Sequence, residues 1–295
     1  MNLFFCTKPL QYLNCRNLAS ARLDEENVLV VTPNFHRADL FADNVRKYDD
    51  LWSSVILSNK TSFFDSGERY SGAHVFVDTD LHLELKFLEG QSCRSVSVYE
   101  EGLGTYAGRL TRVTNSWWKD LIIWLACWSG LMNCVMGQNK ITKDIYVHNP
   151  EAYRKASGCT RNFPISFPTS FIQNIENNEQ LFIKVFNISN FDLPVAKRVC
   201  VFMTSNCRLT NFLESFQLLK SRGEYDHYFF KAHPNVADLY PDFSCELAQI
   251  PAEFLLSRLI SNGNFVHTFH YGTATTLYIV SPSLNFFDMR GRVDL

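Results

Sequence analysis

No two of the nine cysteines stand in a CxxC pair, and none joins histidines at zinc-site spacing. An odd, unpatterned set at positions 6, 15, 93, 127, 134, 159, 200, 207 and 245 reads as reduced thiols, which speaks against a disulfide scaffold or a metal centre. Net charge is nearly absent too. With 28 basic and 30 acidic side chains the balance is −2, so there is no overall basic field for nucleic acid, and any polyanion site must be a local patch. The opening MNLFFCTKPLQ lacks a basic n-region and a small-residue cleavage site, so it reads as a first strand, and a cytoplasmic location is expected. Internal repeats at solenoid spacing and low-complexity segments are also missing.

What is abundant is phenylalanine, 25 residues in a chain that is 46% hydrophobic, as large buried cores require. At 295 residues one core would be overextended, and two domains are expected. Strand-like and helix-like segments alternate: NLFFCT (2–7), LQYLNCRNLASAR (10–22), NVLVVTP (27–33), ADLFADNVRKY (38–48), SSVILS (53–58), HVFVDTD (74–80), a short helix in 81–89, and SVSVYEE (95–101). Residues 157–180 are rich in proline, asparagine and glutamine and read as a connector. The rhythm restarts with RVCVFMTS (198–205), a helix in 209–223, HYFFKAHP (227–234), a helix in 251–260, NFVHTFHY (264–271), a turn into a helix over 272–280, and LNFFDM (284–289). This pattern predicts an α/β protein with two Rossmann-like domains, 1–157 and 158–295, built on parallel sheets. Such sheets bind ligands outside the carboxyl ends of their strands, so two facing domains would enclose a central cleft.

Four polar clusters fall at predicted strand or helix ends. Glu100 and Glu101 close the strand 95–101, and Gly102 and Gly104 follow them. Repulsion between adjacent carboxylates, with partial burial, favours the protonated form of one and suits it to general-base work; the plainer reading is a solvated pair beside a tight turn. Lys231 and His233 flank Ala232 ahead of Pro234, and both could donate to a phosphate. A strand-end histidine held by a backbone carbonyl is the simpler alternative. Gly272, Thr275 and Thr276 lie where a strand gives way to a helix, a place for phosphate or for ordinary capping. Glu253 follows Pro251 in a first helical turn, where dipole compensation alone would explain it.

The order of these clusters, acid pair and glycine, then HP, then a glutamate after a helix-start proline, then a hydroxyl pair, resembles that of the bacterial sialyltransferases. The opening NLFFCTKPLQYL resembles the strand-PLQ-helix start of their lipooligosaccharide and capsular branch. The resemblance implies a GT-B-type glycosyltransferase fold and inverting, metal-independent transfer of sialic acid, or a related nonulosonic acid, from its CMP donor to an oligosaccharide acceptor of a surface glycan. No cofactor is expected. Carried over, Glu100, Glu101 and Gly102 match the acid pair and glycine; transfer from a CMP-sugar needs a base for the acceptor hydroxyl, and Glu101 is expected to be that base, with Glu100 orienting it or sharing its proton. His233 and Pro234 match HP, Thr275 and Thr276 the hydroxyl pair, and Glu253 the residue contacting the ribose; Lys231 would assist at the phosphate. A GT-B transferase using CMP-Kdo or a UDP-sugar, and a silent glycan-binding subunit, are the alternatives.

Residues 121–139 carry no charge, and Trp117, Trp118, Trp124 and Trp128 lie in or beside them. A single span there would separate Glu101 from His233 by a membrane, against the shared cleft expected. Two readings stand: a helix buried in the core or covering the cleft, or an interfacial helix flanked by Arg109, Arg112 and Lys119, giving peripheral membrane association through 117–139.

Overall fold

The computed structural model describes residues 1–65, 72–80, 93–106, 135–158, 162–188, 191–205, 212–240 and 245–290, together with Trp118, Leu121, Ile122, Trp124 and Leu125. Contacts group Met1–Thr7, Gln11–Pro33 and Asp49–Asn174 into one compact unit, and Lys8–Leu10, Asn34–Tyr48 and Ile175–Leu295 into another.

Among the described residues the first unit holds an all-parallel sheet in the order β3-β2-β1-β4-β5-β6-β7. Its strands are β1 (Asn2–Cys6), β2 (Asn27–Val31), β3 (Ser54–Leu57), β4 (His74–Val77), β5 (Ser95–Tyr99), β6 (Thr142–Val147) and β7 (Pro164–Ser166). Every residue of β1 and β2 is buried, which is why NLFFC and NVLVV read as unbroken apolar runs instead of alternating ones. In β5, Val96 and Val98 join a core with Leu3, Val30 and Ile145, while Ser97 points the other way and bonds His74 Nε2 at 2.9 Å. The order is that of a Rossmann sheet lengthened by one strand, with its topological switch between β1 and β4.

A buried lattice fixes the carboxyl ends at that switch. After β1 the chain enters helix α1 (Pro9–Ser20), with proline at the first helical position, where its missing N–H costs nothing. The Thr7 N–H donates to Gln11 Oε1 at 2.7 Å, and Gln11 Nε2 donates to Asp78 Oδ2 at 3.0 Å. The Thr7 hydroxyl donates to the same carboxylate oxygen at 2.7 Å, and Lys60 Nζ pairs with the other at 2.7 Å. The PLQ signature is therefore a joint between strand and helix. Asp80 does similar work: its carboxylate receives Gly137 N–H, Asn139 N–H and the Thr142 hydroxyl at 2.8, 3.1 and 2.8 Å.

Two expectations change here. The stretch 157–180, read as a connector, carries β7, which pairs with β6, and helix Phe171–Asn177. The first unit thus runs to Asn174 instead of ending at 157. Pro164 opens an edge strand, a place where its missing donor is harmless, so the proline did not signal a break. The helix Ala38–Tyr48 groups with the second unit, since Phe41 stacks on Phe186, 5.9 Å between centroids.

The second unit contains a parallel sheet in the order β11-β10-β8-β9 among its described residues, made of β8 (Arg198–Met203), β9 (His227–Lys231), β10 (Phe265–His270) and β11 (Leu284–Asp288). The order reverses between β8 and β10. Phenylalanines fill its core: Phe202 stacks on Phe230 at 5.8 Å, and Phe216 meets Phe230 edge-on at 5.3 Å. The helix expected over 272–280 is only a 3-10 turn, Ala274–Leu277. Thr273 and Thr276 hydrogen-bond local backbone groups, an alternative to helix that threonine offers readily. The short helix expected in 81–89 lies outside the described residues.

The joint after β1 gives a direct expectation. Gln11→Leu strands the Thr7 N–H and removes a donor from Asp78 in a buried setting, so urea unfolding should show a loss of about 1–3 kcal/mol.

Candidate functional site

Glu100 continues the β5 ladder, its N–H donating to the Tyr146 carbonyl at 2.9 Å. Consecutive side chains at a strand end point to opposite sides, and the acid pair divides accordingly. Glu100 is fully buried, at 0% exposure. Its Oε2 receives the Tyr106 hydroxyl at 2.5 Å and the His148 N–H at 2.7 Å, and its carbonyl receives Asn14 Nδ2 at 3.0 Å. Burial and the Glu100 charge together push the Tyr106 phenol well above its ordinary range. Glu101 is partly exposed. Its N–H donates to Thr105 Oγ1 at 3.0 Å, and Gly102 takes φ 134°, a conformation that L side chains rarely adopt. A Cβ on Gly104 would stand 3.4 Å from Glu101 Oε2, an ordinary van der Waals contact, so Gly102 is the glycine that this turn requires. The expectation that Glu100 shares a proton with Glu101 meets a different arrangement, in which Glu100 is turned into the protein with partners of its own.

His148, which sequence reasoning missed, completes this end of the sheet. Its Nε2 lies 2.9 Å from Asn14 Oδ1, and its ring stacks on Phe167 at 4.1 Å and meets Phe171 edge-on at 5.1 Å. Burial lowers its pKa to about 3, so the ring is neutral, and the amide oxygen places the proton on Nε2. The available signal was the sequence YVHNP, a second strand-end histidine before proline.

In the second unit, the residues after β9 form a turn closed by Val236 N–H to the His233 carbonyl at 2.9 Å, with Pro234 in its second position, where a fixed φ is favourable. The His233 N–H donates to Thr204 Oγ1 at 2.8 Å, and the Asn235 N–H donates to His233 Nδ1 at 3.3 Å. An acceptor Nδ1 leaves the ring proton on Nε2, making that atom a donor. Burial lowers the His233 pKa to about 3, and the charges of Lys8 and Lys231 act in the same direction. Thr204 and Lys8 were not anticipated.

Lys231 corrects an expectation. It is 5% exposed and its ammonium donates to the Leu247 carbonyl at 3.1 Å, so it faces the interior instead of offering itself to a phosphate. Burial lowers its pKa to about 8, opposed by Glu253. Glu253 is likewise buried, its Oε1 receives the Thr275 hydroxyl at 2.8 Å, and burial raises its pKa. The Thr275 hydroxyl is thereby engaged, and it also lies 2.8 Å from Thr273 Oγ1. Thr276 is partly exposed and donates to the Thr273 carbonyl at 3.2 Å. The helix N-terminus expected beside these threonines is replaced by the short 3-10 turn. Gly272 takes φ 86°, and a Cβ there would come within 3.1 Å of the Arg290 guanidinium. The structure thus joins Lys231, Glu253 and Thr275 inside the unit and puts His233, Pro234 and Gly272 at carboxyl ends of strands.

Of the apolar run around 121–136, Trp118, Leu121, Ile122, Trp124 and Leu125 are all exposed, Ile122 at 63% and Trp118 at 59%, whereas Met136 at its end is buried in the core at 3%. For these five the expected core packing is not met. Arg109, Arg112 and Lys119 lie outside the described residues. Among the described residues no helix is long and apolar enough to cross a membrane, and no group of three or more His, Cys, Asp or Glu side chains is placed to hold a metal ion.

Known protein families and curated proteins yield no match to the chain. Among solved structures it is similar to an alpha/beta-galactoside alpha-2,3-sialyltransferase from the luminous marine bacterium Photobacterium phosphoreum, with TM-score 0.51 and 9% identity over 94% of this chain and 87% of that one. The fold is of the GT-B type. At 9% identity that similarity shows the fold alone. Also similar are UDP-N-acetylglucosamine 2-epimerase from Rickettsia bellii (TM-score 0.49, 13% identity, 92% and 73% of the two chains) and ADP-heptose lps heptosyltransferase II of E. coli (0.35, 9%, 97% and 90%). Both fall below a TM-score of 0.5 and carry no weight.

Neutral, partly buried histidines make stability depend on pH. His148 and His233 have folded pKa values of about 3 against an ordinary 6.5, so between these limits unfolding takes up protons and stability falls as the pH falls. The slope is at most about 1.4 kcal/mol per pH unit for each histidine. His148→Gln keeps an amide donor without a titrating ring. Thermal melts should show a smaller loss of Tm between neutral and mildly acidic pH in that variant than in the wild type.

Proposed function

We propose that the chain is an inverting, metal-independent glycosyltransferase that moves sialic acid, or a related nonulosonic acid, from its CMP donor to a hydroxyl of a bacterial surface glycan, lipooligosaccharide or capsule. One observation carries this reading: on a fold shared with a sialyltransferase, the Glu100-Glu101-Gly102 and His233-Pro234 motifs each stand at the carboxyl end of a strand in a parallel sheet. In such sheets ligands bind at those ends. The similar structure's description as a galactoside sialyltransferase makes galactosides the first acceptors to test.

The residues suit the chemistry in distinct roles. Glu101, the partly exposed acid, takes the proton of the acceptor hydroxyl as its oxygen bonds to the anomeric carbon and the bond from that carbon to the phosphate oxygen breaks. CMP departs with the bonding electrons. His233 meets the growing phosphate charge with its Nε2–H, a neutral donor fixed by Thr204 and Asn235. Lys8, whose charge reaches His233, adds positive potential. Thr276 is the more accessible hydroxyl, and Glu253, buried and bonded to the Thr275 hydroxyl, supports the turn that carries it.

The exposed row Trp118, Leu121, Ile122, Trp124 and Leu125 supports peripheral association with the membrane that carries a lipid-linked acceptor, from the cytoplasmic side. Liposome flotation should recover the wild type with anionic vesicles, and Trp118→Ser/Ile122→Ser/Trp124→Ser should stay in the soluble fraction; equal recovery would remove the membrane from the proposal.

Incubation with CMP-Neu5Ac and a panel of galactosides and sialosides, read by mass spectrometry, tests the activity. Transfer should occur, and Glu101→Gln should slow it by roughly two to four orders of magnitude with CMP binding nearly intact. His233→Ala should cost about two to three orders. A thermal shift with UMP in place of CMP would instead indicate a UDP-sugar enzyme. CMP binding without transfer or hydrolysis would point to a glycan-binding subunit.

A further inference from the structure

The acid pair is a pair only in sequence. Glu100 has no exposed surface and serves as the acceptor at a junction of three segments. The Tyr106 hydroxyl donates to its Oε2 from the far end of the 3-10 turn Leu103–Tyr106, six residues on, closing the loop on itself. The His148 N–H reaches the same oxygen from the end of β6, and the next amide, Asn149 N–H, donates to the Tyr106 hydroxyl at 3.1 Å. Between these anchors the loop is held again. Glu101 N–H bonds Thr105 Oγ1, Thr105 N–H bonds the Gly102 carbonyl at 3.1 Å, and the Thr105 hydroxyl lies 3.3 Å from Met136 Sδ. Every one of these contacts fixes the backbone on one side or the other of Glu101.

We propose that Glu100 is a positioning residue: its buried carboxylate, clamped by Tyr106 and the His148 amide, sets the turn from which Glu101 acts, and takes no part in the proton transfer. The inference rests on the reading of Glu101 as the base. A carboxylate suits the position because it accepts several hydrogen bonds at once, and charge-assisted bonds of this kind are about twice as strong as neutral ones. A reacting partner, by contrast, would need access to the acceptor sugar, and a fully buried carboxylate has none.

A double-mutant cycle separates positioning from reaction and from plain structural support. CMP release from CMP-Neu5Ac in the presence of acceptor is measured for Tyr106→Phe, Glu100→Gln and Glu101→Gln, and for Tyr106→Phe combined with Glu101→Gln. Tyr106→Phe removes one bond from the clamp and should lower kcat about tenfold, with both KM values within about twofold of wild type. In the Glu101→Gln background the same change should cost less than about twofold, because there is no base left to misplace. Glu100→Gln, whose amide oxygen still accepts both donors, should stay within about tenfold of wild type. Equal losses from Tyr106→Phe in both backgrounds would reduce the clamp to general scaffolding. A loss in Glu100→Gln as deep as that in Glu101→Gln would make Glu100 a reacting group. Either result overturns the inference, whereas full turnover in Glu101→Gln would overturn the assignment of the base on which it stands.

Discussion

Strands that run in one direction and are covered on both faces leave a charged side chain nowhere to go except their ends. In both sheets charged and polar groups gather at the carboxyl ends, although β6 carries charges, Lys143 and Asp144, nearer its start. Asp78 and Asp80 follow β4, Glu100 follows β5, Thr204 follows β8, Lys231 and His233 close β9, and Arg290 follows β11. Burial at these ends makes an unmet hydrogen bond expensive, so each buried carboxylate gathers donors: Asp78 from Thr7, Gln11 and Lys60, Asp80 from two amides and a hydroxyl, Glu100 from a phenol and an amide. The same bonds that solve the burial problem make the loops rigid. A catalytic group placed among them inherits that rigidity without contributing to it.

The same burial sorts the basic groups into different uses. His148 and His233 are both held neutral, yet their ring nitrogens are committed differently. In His148 the protonated Nε2 is directed at Asn14, and the ring is packed between aromatics; it is a fixed part of the sheet end. In His233 the backbone of Asn235 occupies Nδ1 and defines Nε2 as the donor, an arrangement suited to meeting an anion without first having to lose or gain a proton. Lys231 sits two residues from His233 and looks equivalent in sequence, but it is the last residue of β9 and its ammonium turns inward to the Leu247 carbonyl, while His233 lies beyond the strand.

How much of this could be read from sequence follows from the same physics. Apolar runs such as NVLVV and RVCVFM are visible because a central parallel strand needs them, and all the strands assigned in that way are present. The strand Thr142–Val147 was missed: its first residues, TKD, are polar, and the apolar part is only three residues long. The short edge strand Pro164–Ser166 was hidden by prolines that normally mark loops. Periodicity also could not say that Ala38–Tyr48 groups with the second unit, since that depends on Phe41 meeting Phe186, far away in the chain. In the candidate site the positions of Glu101 and His233 at strand ends were legible. The inward turns of Glu100 and Lys231 were not, because a side chain's direction at the last residue of a strand depends on partners, here Tyr106 and Leu247, that no local pattern reveals.

The two short motifs are as much statements about backbone as about chemistry. Glycine follows the acid pair because the chain must turn at φ 134° there, and proline follows His233 because the turn that closes on Val236 wants a fixed φ in its second position. In each case one residue offers a polar side chain at a strand end and its neighbour sets the angle at which that side chain is offered. Glu101 can be replaced in chemistry by another carboxylate; Gly102 has no such substitute at that φ. Seen in these terms, the geometry around a reacting group constrains the sequence more narrowly than the reacting group does.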